Sequence, residues 1–326
     1  MFSIRKVTIF IACTLIVSLI AGGLCFGAET FPTKPIQVIV PFAPGGSNDV
    51  LARAVANIWT KYSPQPMVVI TKPGAGGIMG VEYVVRSKPD GYTLYLGQGS
   101  SPDLTIPHFQ KMPYDPFKDL APVARLSVHS VIICVSGKSP IKSMKDLVAF
   151  ANSGNRVTAA ASVATGVVDI TLKAMAKRAN FPITVVPFTG GADAVTALAG
   201  GHLTMGGGHP SEVMPHIKSG RFRAIGVALD KRDPTLPNIP TLKEQGIDVI
   251  TWGSVKGVAV PAATPPEVIE YLSSTLKKVS EDKEYKKAMA AVYQPIMYQN
   301  TKDWTVFLHQ AYKDYGDLIK ELNLKI

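Results

Sequence analysis

The side chains able to do chemistry are few and scattered. Six histidines stand at 108, 129, 202, 209, 216 and 309, without an HExxH pair or the Cys/His spacing of a metal site. His209 and His216 are seven apart with only Glu212 between them as a third ligand, which satisfied or exposed histidines explain better than zinc. No GxSxG elbow occurs, because GGSND and GQGSS lack the trailing glycine, and there is no GxxxxGK[ST] loop. PGAGGIMG at 73–80 lacks the GxGxxG spacing and its following acid, so no dinucleotide, other cofactor or metal is expected. Past the N-terminal segment only Cys134 remains, inside VIICV, the setting of a buried thiol rather than a nucleophile.

What recurs instead is glycine. Six small-residue turns, at 45–47, 74–77, 97–101, 165–166, 189–191 and 206–208, each follow a strand-like run. Glycine lets a ligand approach the backbone, and a helix start offers unpaired N–H groups with partial positive charge, so such turns bind anions without lysine or arginine. The clearest is PFAPGGSND at 41–49. It lacks a Walker lysine, which leaves a carboxylate or a plain turn as its purpose. Two roles are open to Asp49: capping an N–H in the first helical turn, or contacting a ligand through its amino group or a bridging water.

The elements that must position these turns alternate. IQVIVPF, MVVITK and YTLYLG read as strands, and VLARAVANIW and IMGVEYVVRS as helices whose apolar residues recur at helical spacing. Val50, Leu51, Ala54, Val55 and Ile58 predict one buried face. Strand, glycine loop and helix in succession predict parallel pairing with the loops at the C-terminal strand ends. A second series runs from VIICV through RVTAAAS, ITVVPF and HLTMGGG to FRAIGVAL, with Ser143 as a helix N-cap. The proline-rich DPTLPNIPTL connects it to SVKGVAVP, and amphipathic helices close the chain. The fold class is α/β, in two blocks with a cleft between them if SVHSVIICV and WGSVKGVAV cross from one to the other.

The 326 residues suffice for two such lobes, and 46% hydrophobic with 18% charged residues is a globular composition. The net charge of +10 includes Arg5 and Lys6, and the other basic residues are dispersed rather than interleaved with aromatics, which argues against nucleic acid. MFSIRK followed by VTIFIACTLIVSLIAGGL and CFGAE has the form of a secretory signal cleaved after Gly27 or Ala28. An uncleaved anchor competes with that reading, while Leu24 before Cys25 disfavours a lipid-modified cysteine. The mature chain is expected to be soluble.

Taken together, FPTKPIQVIVPFAPGGSNDVLAR, KPGAGG, KPDGYTLYLG, MPYDPFKDLAPVA, VVPFTGGADAVTALAGG, MPHIKSGRFRAIGV and LPNIPTLKEQG resemble the Bug family, the TctC-type periplasmic solute-binding components of tripartite tricarboxylate transporters. The resemblance runs through the whole mature chain in order. It implies a two-lobed periplasmic binding protein of the type II, Venus-flytrap kind, monomeric and without catalysis. Segment 1–28 is then a signal peptide, 29–128 with 256–326 the first lobe, and 129–255 an inserted second lobe. A small carboxylate is the implied ligand and the transporter's membrane subunits the implied partners. Carried over by position, the ligand contacts are Ala43, Pro44, Gly45, Gly46, Ser47 and Asp49, with Gly99, Ser100 and Ser101, from the first lobe. Thr165, Gly166, Thr189, Gly190, Asp193 and His209 come from the second. Val167, Val168 and Asp169 stand where relatives carry Ser/Thr and His, and Phe188-Thr189-Gly190 where Tyr-Lys-Gly is common. Those departures point to an acid with one carboxylate and an aromatic or short aliphatic body. A sensor subunit for a signalling receptor and, less favoured, a secreted enzyme are the alternatives.

Overall fold

The computed structural model describes residues 31–233, 236–249 and 251–325. The apolar segment read as a signal lies outside them. From Lys34 onward the chain forms one unit built on two mixed sheets.

The first sheet has the order β11-β4-β10-β3-β1-β2, with β1 Ile36–Val40, β2 Met67–Thr71, β3 Thr93–Gln98, β4 Leu120–His129, β10 Ser254–Pro261 and β11 Ile296–Gln299. β1 is rich in β-branched residues and only Gln37 is exposed, as a central strand covered on both faces requires. It pairs in parallel with β2 and β3 through helical crossovers, α1 (Ser47–Trp59) and α2 (Ile78–Val85). α1 buries Leu51, Ala52, Val55, Ile58 and Trp59, so the inward stripe is rotated slightly from the expected one, with Val50 and Ala54 at its half-buried edge.

The second sheet has the order β7-β6-β8-β5-β9, from β5 Ile132–Ser136, β6 Thr158–Ala161, β7 Thr184–Pro187, β8 Met205–Gly208 and β9 Phe222–Val227. β6 lies parallel to β7 and β8, whereas β5 is antiparallel to β8 and β9. In the first sheet β10 is likewise antiparallel to β3 and β4. Antiparallel pairing enters where the chain passes between sheets: β4 ends at His129 and β5 begins at Ile132, and the return runs from β9 to β10. Helices α3 (Ser101–Leu104), α4 (Met144–Asn152), α5 (Val167–Arg178), α6 (Gly191–Ala199) and α7 (Pro210–Lys218) follow strands β3 and β5 to β8, with the Ser143 Oγ accepting the Asp146 N–H at 3.2 Å as the α4 cap.

Three further helices, α8 (Pro266–Glu281), α9 (Lys283–Ala291) and α10 (Thr301–Glu321), complete the chain. α10 buries Trp304, Leu308, Ala311, Tyr315 and Ile319 at three- and four-residue spacing. The Trp304 indole fits because its neighbours Gly99 and Gly257 have no side chain, and its Nε1 donates to Gln98 Oε1 at 2.8 Å. Among the described residues no helix is long and apolar enough to cross a membrane.

Candidate functional site

Three of the loops that follow strands share one device. An acid at the third helical position reaches back four residues and accepts a backbone N–H. Asp49 takes that of Gly45 at 2.9 Å, Asp103 that of Gly99 at 2.9 Å, and Asp169 that of Thr165 at 2.8 Å. Gly45, Gly99 and Thr165 all have positive φ, the conformation that turns their N–H groups back toward the acid. Asp193 closes the equivalent loop by accepting the Thr189 hydroxyl, and Glu212 accepts the N–H of His209 at 3.0 Å, in a capping box. Asp49 is also paired with Arg53, at 3.0 Å. In this geometry Asp49 is engaged by two groups of its own loop and helix, the Gly45 N–H and the exposed Arg53 guanidinium.

These loops meet between the sheets. An inner niche of about 30 Å³ is bounded by Gly46 with Ser47 and Asn48 of α1, Ser100 and Ser101, Val167 and Val168, Gly190 and Gly191, His209 and Glu212. Val163 separates it from an outer chamber of about 920 Å³, lined by Ala43, the glycine loop 73–77, Ile106, Thr165, Phe188, Thr189 and Asp193. Of the residues anticipated from sequence, Gly46, Ser47, Ser100, Ser101, Gly190 and His209 thus reach the niche, and Ala43, Thr165, Thr189 and Asp193 the outer chamber. Pro44, Gly45, Asp49, Gly99 and Gly166 line neither: Pro44 and Gly45 are exposed, and Asp49 is buried beneath their loop. Gly99 makes room for Trp304, and Gly166 for the Ser101 hydroxyl, which accepts the Val167 N–H across the cleft at 3.4 Å.

Sequence reading missed the polar centre of the site. Glu212 is bound on both sides: Oε2 to His209, and Oε1 to the Ser47 N–H of the opposite sheet at 3.0 Å. Burial opposes ionisation of that carboxyl, but the His209 side chain, the His209 and Ser47 N–H groups and Lys256 hold it below the usual range. Lys256 on β10 is fully buried and donates to Ser254 Oγ at 3.2 Å. Burial brings its ammonium down to about 8, against the opposing pull of Glu212. Burial also brings His209 down to about 4 and His129 well below its ordinary value, so both rings, 5.5 Å apart, are neutral at pH 7. Gln294 donates from Nε2 to Ser47 O at 2.8 Å and Ser211 Oγ at 3.2 Å, a second tie across the cleft. His216 instead stacks on Phe222 at 4.6 Å. Among the described residues no three His, Cys, Asp or Glu side chains are placed to hold a metal. Cys134 is buried in the second sheet, and burial pushes its thiol far up.

Residues 51–324 match the family described as tripartite tricarboxylate transporter family receptor. Protein BugT of Bordetella pertussis is 31% identical over 266 residues, 81% of this chain and 82% of that protein. The structure of the periplasmic binding protein BugD superposes with a TM-score of 0.84 at 25% identity, over 90% of this chain and 99% of the other. An R. palustris protein solved with adipate shares the fold, with a TM-score of 0.83 at 24% identity over 90% and 98% of the two chains.

Proposed function

Because the chain belongs to the tripartite tricarboxylate transporter receptor family, we propose that it captures a small carboxylate between its lobes and presents it to the membrane subunits of such a transporter. Its place is the periplasm, reached through the N-terminal signal, and it acts as a monomer without turnover. The lobes are 29–128 with 256–326, and the inserted 129–255. The ligand head lies among Gly46, Ser47, Ser100, Ser101, Gly190 and His209, and the body extends past Ala43, Thr165, Thr189 and Asp193. Of the remaining anticipated residues, Asp49, Gly99 and Gly166 keep the loops in shape, and Pro44 and Gly45 are exposed in the loop before α1.

The observation that carries this reading is the polar niche at four helix starts, which shares Val163 as a wall with a larger, mostly apolar chamber. Helix N-termini favour an anion, and a chamber lined by Phe188, Ile106, Pro187 and Val163 favours an apolar body. An aromatic or short aliphatic acid satisfies both.

A thermal-shift screen of organic acids on the chain from residue 29 tests it. A matching acid at a hundred times its dissociation constant stabilises by ~2.7 kcal/mol, about 5 °C for a protein of this size. Recovery of the acid unchanged after prolonged incubation is expected. Turnover would move the assignment to an enzyme, and a screen without any shift would remove the carboxylate.

A further inference from the structure

Four helices of eight or more residues, α1, α5, α6 and α7, contribute their first turns to the inner niche. Each start carries roughly half a positive charge. Asn48, 7% exposed and part of the niche wall, has an Oδ1 without a partner, which marks this end as the polar one.

The protein already answers part of that field. Glu212 Oε1 sits 3.0 Å from the Ser47 N–H, the position at the α1 start that an incoming carboxylate would seek. The space is reserved for it: a Cβ on Gly191 would run into both carboxylate oxygens. Among the described residues no lysine or arginine lines either the niche or the outer chamber. The charged side chains there are Glu212 and Asp193, both acids. The buried cation behind them, Lys256, is already opposed to Glu212. A ligand's carboxylate is therefore neutralised by helix N–H groups and hydroxyls alone. That suits one charge. A second would be taken out of water with no counter-charge.

We propose that Glu212 is the specificity-determining residue of this site: a built-in carboxylate that fills one anion position and so restricts the ligand to a single carboxylate with an apolar body. This rests on the carboxylate-binding reading above and names the residue responsible for the ligand's charge class.

Matched acids test it. Hexanoate and adipate have the same six carbons and differ by one carboxylate, as do benzoate and terephthalate. Calorimetric titration of each into the chain from residue 29 should give at least tenfold tighter binding of the monoacid in one or both pairs. E212Q keeps the size of the side chain and removes its charge, and should shrink or invert that ratio by tenfold or more. G191A, which crowds the carboxylate out of its place, should move the ratio the same way, and supplies the answer if E212Q fails to fold. Tighter binding of the diacids to the unmodified chain, or a ratio within twofold of it in both variants, overturns the role of Glu212 and leaves carboxylate binding intact. Binding of none of the four acids overturns both.

Discussion

The Glu212 carboxylate and the Ser47 N–H meet at 3.0 Å across the cleft, although 165 residues separate them in the chain. Ser47 is held at its carbonyl as well, by Gln294 at 2.8 Å. The loop that begins α1 is thus fastened to the second lobe from one side and to the segment before β11 from the other. Replacing Gln294 by Ala removes the second tie together with its contact to Ser211. A loss of about 1–2 kcal/mol in urea denaturation is expected, the cost of unmaking buried hydrogen bonds. A change within 0.3 kcal/mol would show that the tie contributes nothing.

Lys256 and Glu212 should behave as a pair. Removing either alone leaves the other charge buried, and K256M is expected to cost about 3 kcal/mol. In an E212Q background the same change should cost much less, because the uncompensated carboxylate is gone. A double-mutant cycle of denaturation free energies checks this, and additive losses would show that the two charges do not couple.

The recurring acid at the third helical position predicts a graded response. D49A releases the Gly45 N–H and Arg53 and should lower stability by about 1–2 kcal/mol, with D169A similar for Thr165. D193A, whose contact is with the hydroxyl of an exposed threonine, should stay within about 0.5 kcal/mol. Equal losses in all three would contradict the assignment of Asp49 and Asp169 as loop closures.

Asp103 gives a pH signature. Burial pushes its carboxyl up to about 7, although Tyr95 and the N–H groups of Gly99 and Ser100 pull it down. Between pH 4 and 7 the native state therefore holds a proton that the unfolded chain releases, so stability falls as pH rises through that window. Relative to D103N, the unmodified protein should lose up to about 4 kcal/mol from pH 4 to 8. Parallel stability profiles for the two proteins would refute it.

Trp304 depends on missing side chains. A Cβ at Gly257 would stand 2.5 Å from the indole nitrogen, so G257A should cost about 1–3 kcal/mol by overpacking. G99A adds a residue at φ +88° to a similar clash and should cost more. The order of the two melting temperatures is the measurement.

Much of the scaffold was legible because its strands are dense in β-branched residues and its helices carry apolar stripes. β4 was not: Pro122 and Arg125 interrupt it, and its pairing with β10 joins segments far apart in the chain. β11, with four residues at the sheet edge, offers no pattern at all. The glycine loops pointed to the right place, yet glycine cannot say which N–H faces a ligand and which faces an acid on its own helix. The spacing Gly45 to Asp49, repeated as Gly99 to Asp103 and Thr165 to Asp169, was the available signal for that distinction. Glu212 was hidden by its sequence neighbours, since standing between His209 and His216 suggests a metal ligand. The His-Pro-Ser-Glu run does match a capping box, with proline first in the helix and glutamate third. Its reach to Ser47 depends on the other lobe and has no local trace.

Cys134 turns the chain into a convenient subject for distance spectroscopy. Its thiol is fully buried and far from ionising at neutral pH, so maleimide reagents will pass it by in a chain begun at residue 29. Cysteines placed at the exposed positions Lys88, between β2 and β3 of the first sheet, and Asn152, on the helix after β5 of the second, would then be the sole reactive handles. A fluorophore pair attached there would follow the separation of the two sheets in single molecules as acid is added, with no background substitution needed.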